Sequence, residues 1–230
     1  CDVARQAVER ALPGLDQVIF SDISRDIARK IEVGCLNGSG TNAPLGILQD
    51  GGVPAVTVSG QTAVQLLLKL ADLMQRVEVA VGEPADFILM HSRRFSWLAS
   101  LVDSQNRPLV VPSGAGPFNS FGTISQQSAD DGFSLDPDTR PMGYMLGLPI
   151  YTSSSIPVTS GSGTNEDWLV VGVRDLAVRW ADAQGIRSFT FEGVASSTAS
   201  IRLQALTYSS YITRYPAAFG IVKGMTTPAF

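Results

Sequence analysis

The sequence predicts an α+β fold, and three observations carry that expectation. Two stretches, 22–37 and 60–81, repeat apolar residues at helical spacing. Several short apolar runs bounded by Gly, Pro and Ser read as strands. No internal repeat joins the helices and strands into a regular alternation, and the two ends of the chain are expected to share one subdomain. At 230 residues and 44% hydrophobic, the chain can bury a sizeable core, as one large domain or two small ones.

The elements follow in order. "CDVARQAVERAL" begins mid-pattern with Cys instead of Met, as expected of a fragment, a processed form or a chain whose front is not shown. "SDISRDIARKIEVGCLNG" places Ile23, Ile27, Ile31 and Leu36 on one helical face, with Asp22, Arg25, Asp26, Arg29 and Lys30 on the other. Ser21 or Asp22 is the expected N-cap, and Asn37-Gly38 the expected stop, because glycine accepts a left-handed C-cap. "GQTAVQLLLKLADLMQRVEVAV" is a second helix, apolar at Val64, Leu67, Leu68, Leu70, Leu73, Met74 and Val77. "ADFILMHS" is a short buried strand, and Ser92 is placed to cap the helix "RRFSWLASLVD". "SQNRPLVVPS" gives a turn and a strand, and residues 112–142 form a long Ser-, Gly-, Asp- and Pro-rich loop. "YMLGLPIYTSSSIP" is a strand interrupted at Gly147-Leu148-Pro149, which suggests an edge or a bend. "DWLVVGVRDLAVRWA" and "SFTFEGV" read as strands; "ASIRLQALTYSSYITRYPAAFGIVKG" starts strand- or helix-like and ends in the strand "FGIVKG".

Composition removes several function classes. The net charge is −4 and the basic clusters Arg25-Arg29-Lys30 and Arg93-Arg94 form no stripe, which disfavours tight nucleic-acid binding. Two cysteines, Cys1 and Cys35, make no disulfide framework and, with the single His91, leave too few soft ligands for a zinc site. No run of about 18 apolar residues spans a membrane and no signal peptide is visible, so a cytosolic product is expected.

"GCLNGSGTNAPLGIL" (34–48) looks at first like a phosphate loop. It fails that test: Gly40 is followed by Thr41 and Asn42, not by Lys and Ser/Thr, and the run follows a helix where a dinucleotide fingerprint would precede one. Ser39 lacks the spacing of a nucleophile elbow. A helix stop followed by a sharp turn is the preferred reading. His91 is the only base available to a Ser-His-Asp mechanism, yet a turn histidine bonded to backbone accounts for it better. Asp130-Asp131, Asp136 and Asp138 do not match an EF-hand and read as a solvated acidic loop. Cys35, near a helix C-terminus, is disfavoured as a thiolate. Tyr208/Tyr211 and Phe95/Trp97 read as packing pairs rather than a stacking platform. No catalytic constellation, cofactor site or metal site emerges.

Four segments in order carry a resemblance: "LNGSGTNAPLGIL" after a helix, "FILMHSRRFSWLASLVDSQNRPLV", "GLPIYTSSSIP" and "RYPAAFGIVKG". Together they resemble the major capsid protein of tailed phages, of the Hong Kong 97 type, from about Ala11 onward. Ser92 stands where that family often has Pro, and Asn106 where it often has Gly. The resemblance implies a peripheral domain over 1–56 and 169–210, with a spine helix at about 22–37 and β-strands. It implies an axial domain over 57–168 and 211–230, a central sheet flanked by helices. The structural motif it marks is Leu36, Asn37, Gly38, Gly40, Thr41, Pro44 and Gly46, with Gly147 and Pro149. The glycines would make a sharp exit from the spine, where left-handed or close-packed backbone excludes a Cβ.

The function so implied is a shell protein assembling into pentamers and hexamers of an icosahedral head. Scaffold, portal and maturation protease are the further partners, and the shell encloses double-stranded DNA without sequence-specific binding. It would be assembled in the host cytoplasm and reside in the virion, with no membrane, cofactor or catalytic residue. The loop 112–142 is the candidate for contacts around the symmetry axes. The family's N-terminal arm and extended loop would precede Cys1. Residues 199–213 contain no Asn, Asp, Glu or Lys, so no isopeptide cross-link is expected there. An encapsulin-like nanocompartment shares the fold and is the alternative; a small α+β hydrolase using His91 is a remote one.

Overall fold

The computed structural model describes residues 2–10, 14–59, 62–101, 141–161, 165–181, 185–195 and 198–226. Its elements are β1 (Asp2–Ala4), α1 (Arg5–Arg10), α2 (Leu15–Asn37), β2 (Ala55–Thr57), α3 (Ala63–Val81), β3 (Phe87–Met90), α4 (Ser92–Ser100), β4 (Gly143–Met145) and β5 (Leu148–Thr152). They continue as β6 (Leu169–Gly172), β7 (Ala177–Ala181), β8 (Arg187–Ala195), β9 (Ser200–Leu206), β10 (Ser209–Thr213) and β11 (Phe219–Lys223). The expected strand after residue 104, most of the loop 112–142, its acidic residues, Asn106 and Cys1 lie outside the described residues.

A six-stranded mixed sheet, ordered β2-β11-β6-β3-β5-β4, forms the centre. β6 reads Leu-Val-Val-Gly, a continuous apolar run, because both faces of the sheet are covered. Leu169 and Val171 join Leu66, Leu70, Leu73 and Val77 of α3, with Phe95, Trp97 and Leu98 of α4, in one cluster. Val170, Phe219 and Ile221 join Leu36, Ile47, Leu48, Val53 and Ile156 in a second. The four buried α3 side chains contribute roughly 1.5–3 kcal/mol each. Thr62 caps that helix by accepting from the Gln65 N–H, and Gly82 ends it at φ 81. Two smaller sheets stand apart: β1-β9-β8, and β10 paired with β7.

Several expectations change. The spine helix begins at Leu15, after Gly14, so Ser21 and Asp22 lie inside it and cap nothing; the Ser21 hydroxyl donates to the Val18 carbonyl. The apolar periodicity simply runs further back, through Ile19 and Phe20, both half-buried. α4 is capped by His91, not Ser92, since the His91 Nδ1 accepts from the Arg93 N–H. "YMLGLPIYT" is a hairpin, not one strand: Met145 pairs with Leu148 across Leu146 (φ 53) and Gly147 (φ 81), the backbone of a type I′ turn. β4 does lie at the sheet edge. "DWLVVGVRDLAVRWA" splits at the 3-10 turn Arg174–Leu176, and its first half, β6, pairs with β3 and β11. The strand at Leu169, expected with the peripheral strands, therefore belongs to the central sheet. Tyr208 is 61% exposed and does not pack, whereas Phe95 and Trp97 are core.

Candidate functional site

The spine helix is about 34 Å long at 1.5 Å per residue, yet only Leu36, in its last turn, is fully buried. Leu36 enters the second core cluster beside Ile47 and Leu48, so the chain must reverse between residues 37 and 47. The reversal is tight. The Gly38 N–H donates to the Gly34 carbonyl (3.0 Å), the Gly46 N–H donates to the Gly38 carbonyl (3.0 Å), and Ser39 bridges Leu45. Asn37 fixes the outside of the turn, accepting through Oδ1 from Gln49 Nε2 at 2.6 Å.

The glycines serve two different physical needs. Gly38 is not left-handed, as the sequence had suggested, but extended at φ −59 and ψ 137. What it needs is space: a Cβ there would clash with the Pro44 carbonyl oxygen and stand 2.6 Å from that of Gly34. Gly46 has the matching need, since its Cβ would press on the Gly38 nitrogen and stand 2.6 Å from the Asn37 nitrogen. Gly40, at φ 73, supplies the left-handed residue, followed by Asn42 at φ 57. Thr41 donates its N–H to Ser39 Oγ inside the loop. The structure thus brings Leu36, Asn37, Gly38, Gly40, Thr41, Pro44 and Gly46 into one turn. Gly147 and Pro149 lie elsewhere, in the β4–β5 hairpin. Gly147 has open space around it, so its need is the left-handed backbone alone.

Two polar clamps hold the spine and the helices to the sheet, and neither was legible in the sequence. Glu32 of α2 accepts from the hydroxyls of Ser153 and Ser155, the latter at 2.9 Å, while Ser153 Oγ also accepts from the Ser155 N–H at 3.0 Å. This fastens the "TSSSIP" turn after β5 to the spine. The second clamp buries Arg94 and Asp167 completely and leaves Arg93 partly exposed. Asp167 accepts from Arg93 Nε (2.9 Å) and Nη2 (2.6 Å) and from Arg94 Nε (3.0 Å) and Nη2 (2.7 Å). One carboxylate cannot balance two guanidinium groups. The excess charge is met by the carbonyls of Met225 and Thr226, which accept from Arg94 Nη2, and by the Trp97 ring 5.2 Å away. Arg93-Arg94 was visible as a basic pair, but its partner is more than 70 residues away in sequence and has no local signal.

His91 sits at this junction. Burial, opposed by Asp167 and reinforced by Arg93 and Arg94, holds its imidazole below the usual histidine range. Its Nδ1 accepts a backbone N–H, so that nitrogen cannot donate to an orienting carboxylate, as a triad histidine must. The two oxygens of Asp167 are already engaged by arginines. Among the described residues no group of three or more His, Cys, Asp or Glu could hold a metal, and no helix is long and apolar enough to cross a membrane.

The comparisons with known proteins agree with this architecture. A family model described as the phage capsid family matches residues 1–223. The chain is similar to the capsid of the empty GTA particle, with a TM-score of 0.69 at 14% identity, covering 98% of this chain and 71% of that one. It is similar to a structure from Mycobacterium phage Adephagia (TM-score 0.67, 14% identity, 100% and 71% covered). It is also similar to the SrpI encapsulin of Synechococcus elongatus PCC 7942 (TM-score 0.61, 15% identity, 100% and 73% covered). No curated protein matches the chain.

Proposed function

The chain belongs to the phage capsid family, and on that premise we propose that it builds the icosahedral head of a tailed double-stranded DNA phage or prophage, as rings of five and six copies. A major capsid shell protein acts through many modest contacts repeated by symmetry, not through one reactive site. Family membership implies a structural role, and its place is the virion head.

The observation that carries the reading is the long spine helix with a single fully buried residue. Such a helix, with Val18 and Val33 left exposed, suits a surface that like copies cover. The separate sheets support a division into two domains. The axial domain is the six-stranded sheet with α3 and α4; the peripheral domain is α2 with β1-β9-β8 and the β7–β10 pair. The motif from Leu36 to Gly46 is the exit between them, and Glu32 the clamp that sets their relation.

The net charge of −4 suits a lining that must release packaged DNA and not grip it. Scaffold, portal and maturation protease are the further partners, with assembly in the host cytoplasm. The encapsulin likeness supports a second reading, a nanocompartment whose contents are an enzyme and not a genome. Electron microscopy of the natural gene product expressed alone tests both. Closed shells or rings of five and six are expected; their contents then separate head from nanocompartment. A monodisperse small species under every salt and pH would refute the shell reading.

A further inference from the structure

Helix α3 has two apolar faces. Leu66, Leu70, Leu73 and Val77 are buried against the sheet. On the other side Val64 (58%), Leu68 (65%) and Val79 (78%) stand exposed. With 3.6 residues per turn, Val64, Leu68, Ala71, Gln75 and Val79 fall in a sector of about 80°, opposite the core stripe. The Arg76–Asp72 ion pair (3.0 Å) borders that sector as a polar rim. A helix apolar on both sides belongs where both sides are covered.

A second apolar feature lies at the far end of the same sheet. Leu146, at the tip of the β4–β5 hairpin, adopts φ 53 and is 42% exposed, and Met142 at its foot is 47% exposed. Type I′ turns favour Asn, Asp or Gly at this position. A leucine there accepts roughly 1 kcal/mol of backbone strain and leaves an apolar side chain in water. Backbone strain of this kind clusters at contact and switch regions, where the surroundings hold it in place.

The two features cannot meet within one molecule. The exposed α3 sector faces away from the sheet, opposite the side chains buried against it, whereas Leu146 lies at the tip of the hairpin on the β4 edge, three spacings or about 14 Å from β6, the last strand under α3. They are matched in charge: residues 141–165 contain no charged side chain, and neither does the exposed α3 sector, with Asp72–Arg76 and the exposed Glu78 at its two borders, so a contact confined to the sector would bury no charge. A contact between different patches of identical copies is heterologous, and when its rotation closes it generates a ring. We propose that the Leu146 knob of one subunit docks on the Val64–Leu68–Val79 face of the next copy around each ring. This rests on the shell reading and assigns it a surface.

The test uses the natural gene product with Cys1→Ser and Cys35→Ser, carrying Leu68→Cys and Leu146→Cys together. Assembled particles are treated with a short bismaleimide and run on a denaturing gel. A covalent ladder reaching about five or six chains is expected from the double variant, with only single chains from either variant alone. Shells without a ladder would overturn this inference and leave the shell reading intact. Failure of the unmodified product to form shells or rings would sink both. As a second measurement, Leu68→Glu should leave a folded, soluble subunit by circular dichroism while particle yield falls about tenfold; an unchanged yield would overturn the proposal.

Discussion

Adding one methyl group at Gly46 tests the turn that ends the spine helix. The backbone there, φ −78 and ψ 155, suits alanine perfectly well, so Gly46→Ala introduces no conformational strain of its own. The whole cost comes from contact. The new Cβ would press on the nitrogen of Gly38 and stand 2.6 Å from that of Asn37 and 2.7 Å from the Leu36 carbonyl carbon, all main-chain atoms with no rotamer to yield. Overpacking of this kind costs about 1–3 kcal/mol. Parting the strands of the turn also weakens the Gly46-to-Gly38 hydrogen bond, worth about 1 kcal/mol. The sum, roughly 2–4 kcal/mol, corresponds to a fall in Tm of about 6–12 °C for a subunit of this size. Gly34→Ala is the control with opposite sign. It lies within the spine helix with nothing within 4 Å of its Cβ, and should stabilise by about 0.5–1 kcal/mol. Urea denaturation and calorimetry of dissociated subunits measure both. If Gly46→Ala unfolds within about 0.5 kcal/mol of the parent, the close approach of turn and helix end is wrong, and so is the reason given for the glycine.

Three further outcomes follow from the clamps. Asp167→Ala strands two arginines, one of them fully buried, and should cost about 3–5 kcal/mol in denaturant unfolding; Arg94→Met, which leaves Arg93 on Asp167, should cost less, and the reverse order would contradict the geometry. Glu32→Ala frees the hydroxyls of Ser153 and Ser155 and should cost about 1–2 kcal/mol, with faster amide exchange along residues 153–156 as its signature. His91 gives a pH dependence. Its folded imidazole accepts a proton only below the unfolded value of about 6.5, so under about pH 6.5 the unfolded state binds more protons and stability declines as pH falls, until the folded imidazole also titrates. Asn at this position keeps a capping acceptor, so His91→Asn should remove that part of the decline, and an unaltered pH profile would show the imidazole is not its source.

What the sequence determined by itself was whatever depends on neighbours along the chain. The helical positions Leu70, Leu73 and Val77, the apolar run Leu169–Val171 and the glycine-bearing turn from Gly38 to Gly46 all carry their reasons within a few residues, though the same apolar run named Val64 and Leu68, which the fold leaves exposed, and passed over Leu66, which it buries. So did the resemblance to the capsid family, which is an order of local motifs. The tertiary structure alone decided what depends on distant partners. It made Gly38 necessary through the Pro44 carbonyl and not through its own φ. It moved the strand at Leu169 into the central sheet by pairing it with β3 and β11. It joined Arg94 to Asp167 and Glu32 to Ser153, across separations of 73 and 121 residues. Close approach and buried charge balance are properties of atoms that meet only after the chain has folded, and no period or motif along the sequence encodes which atoms those will be.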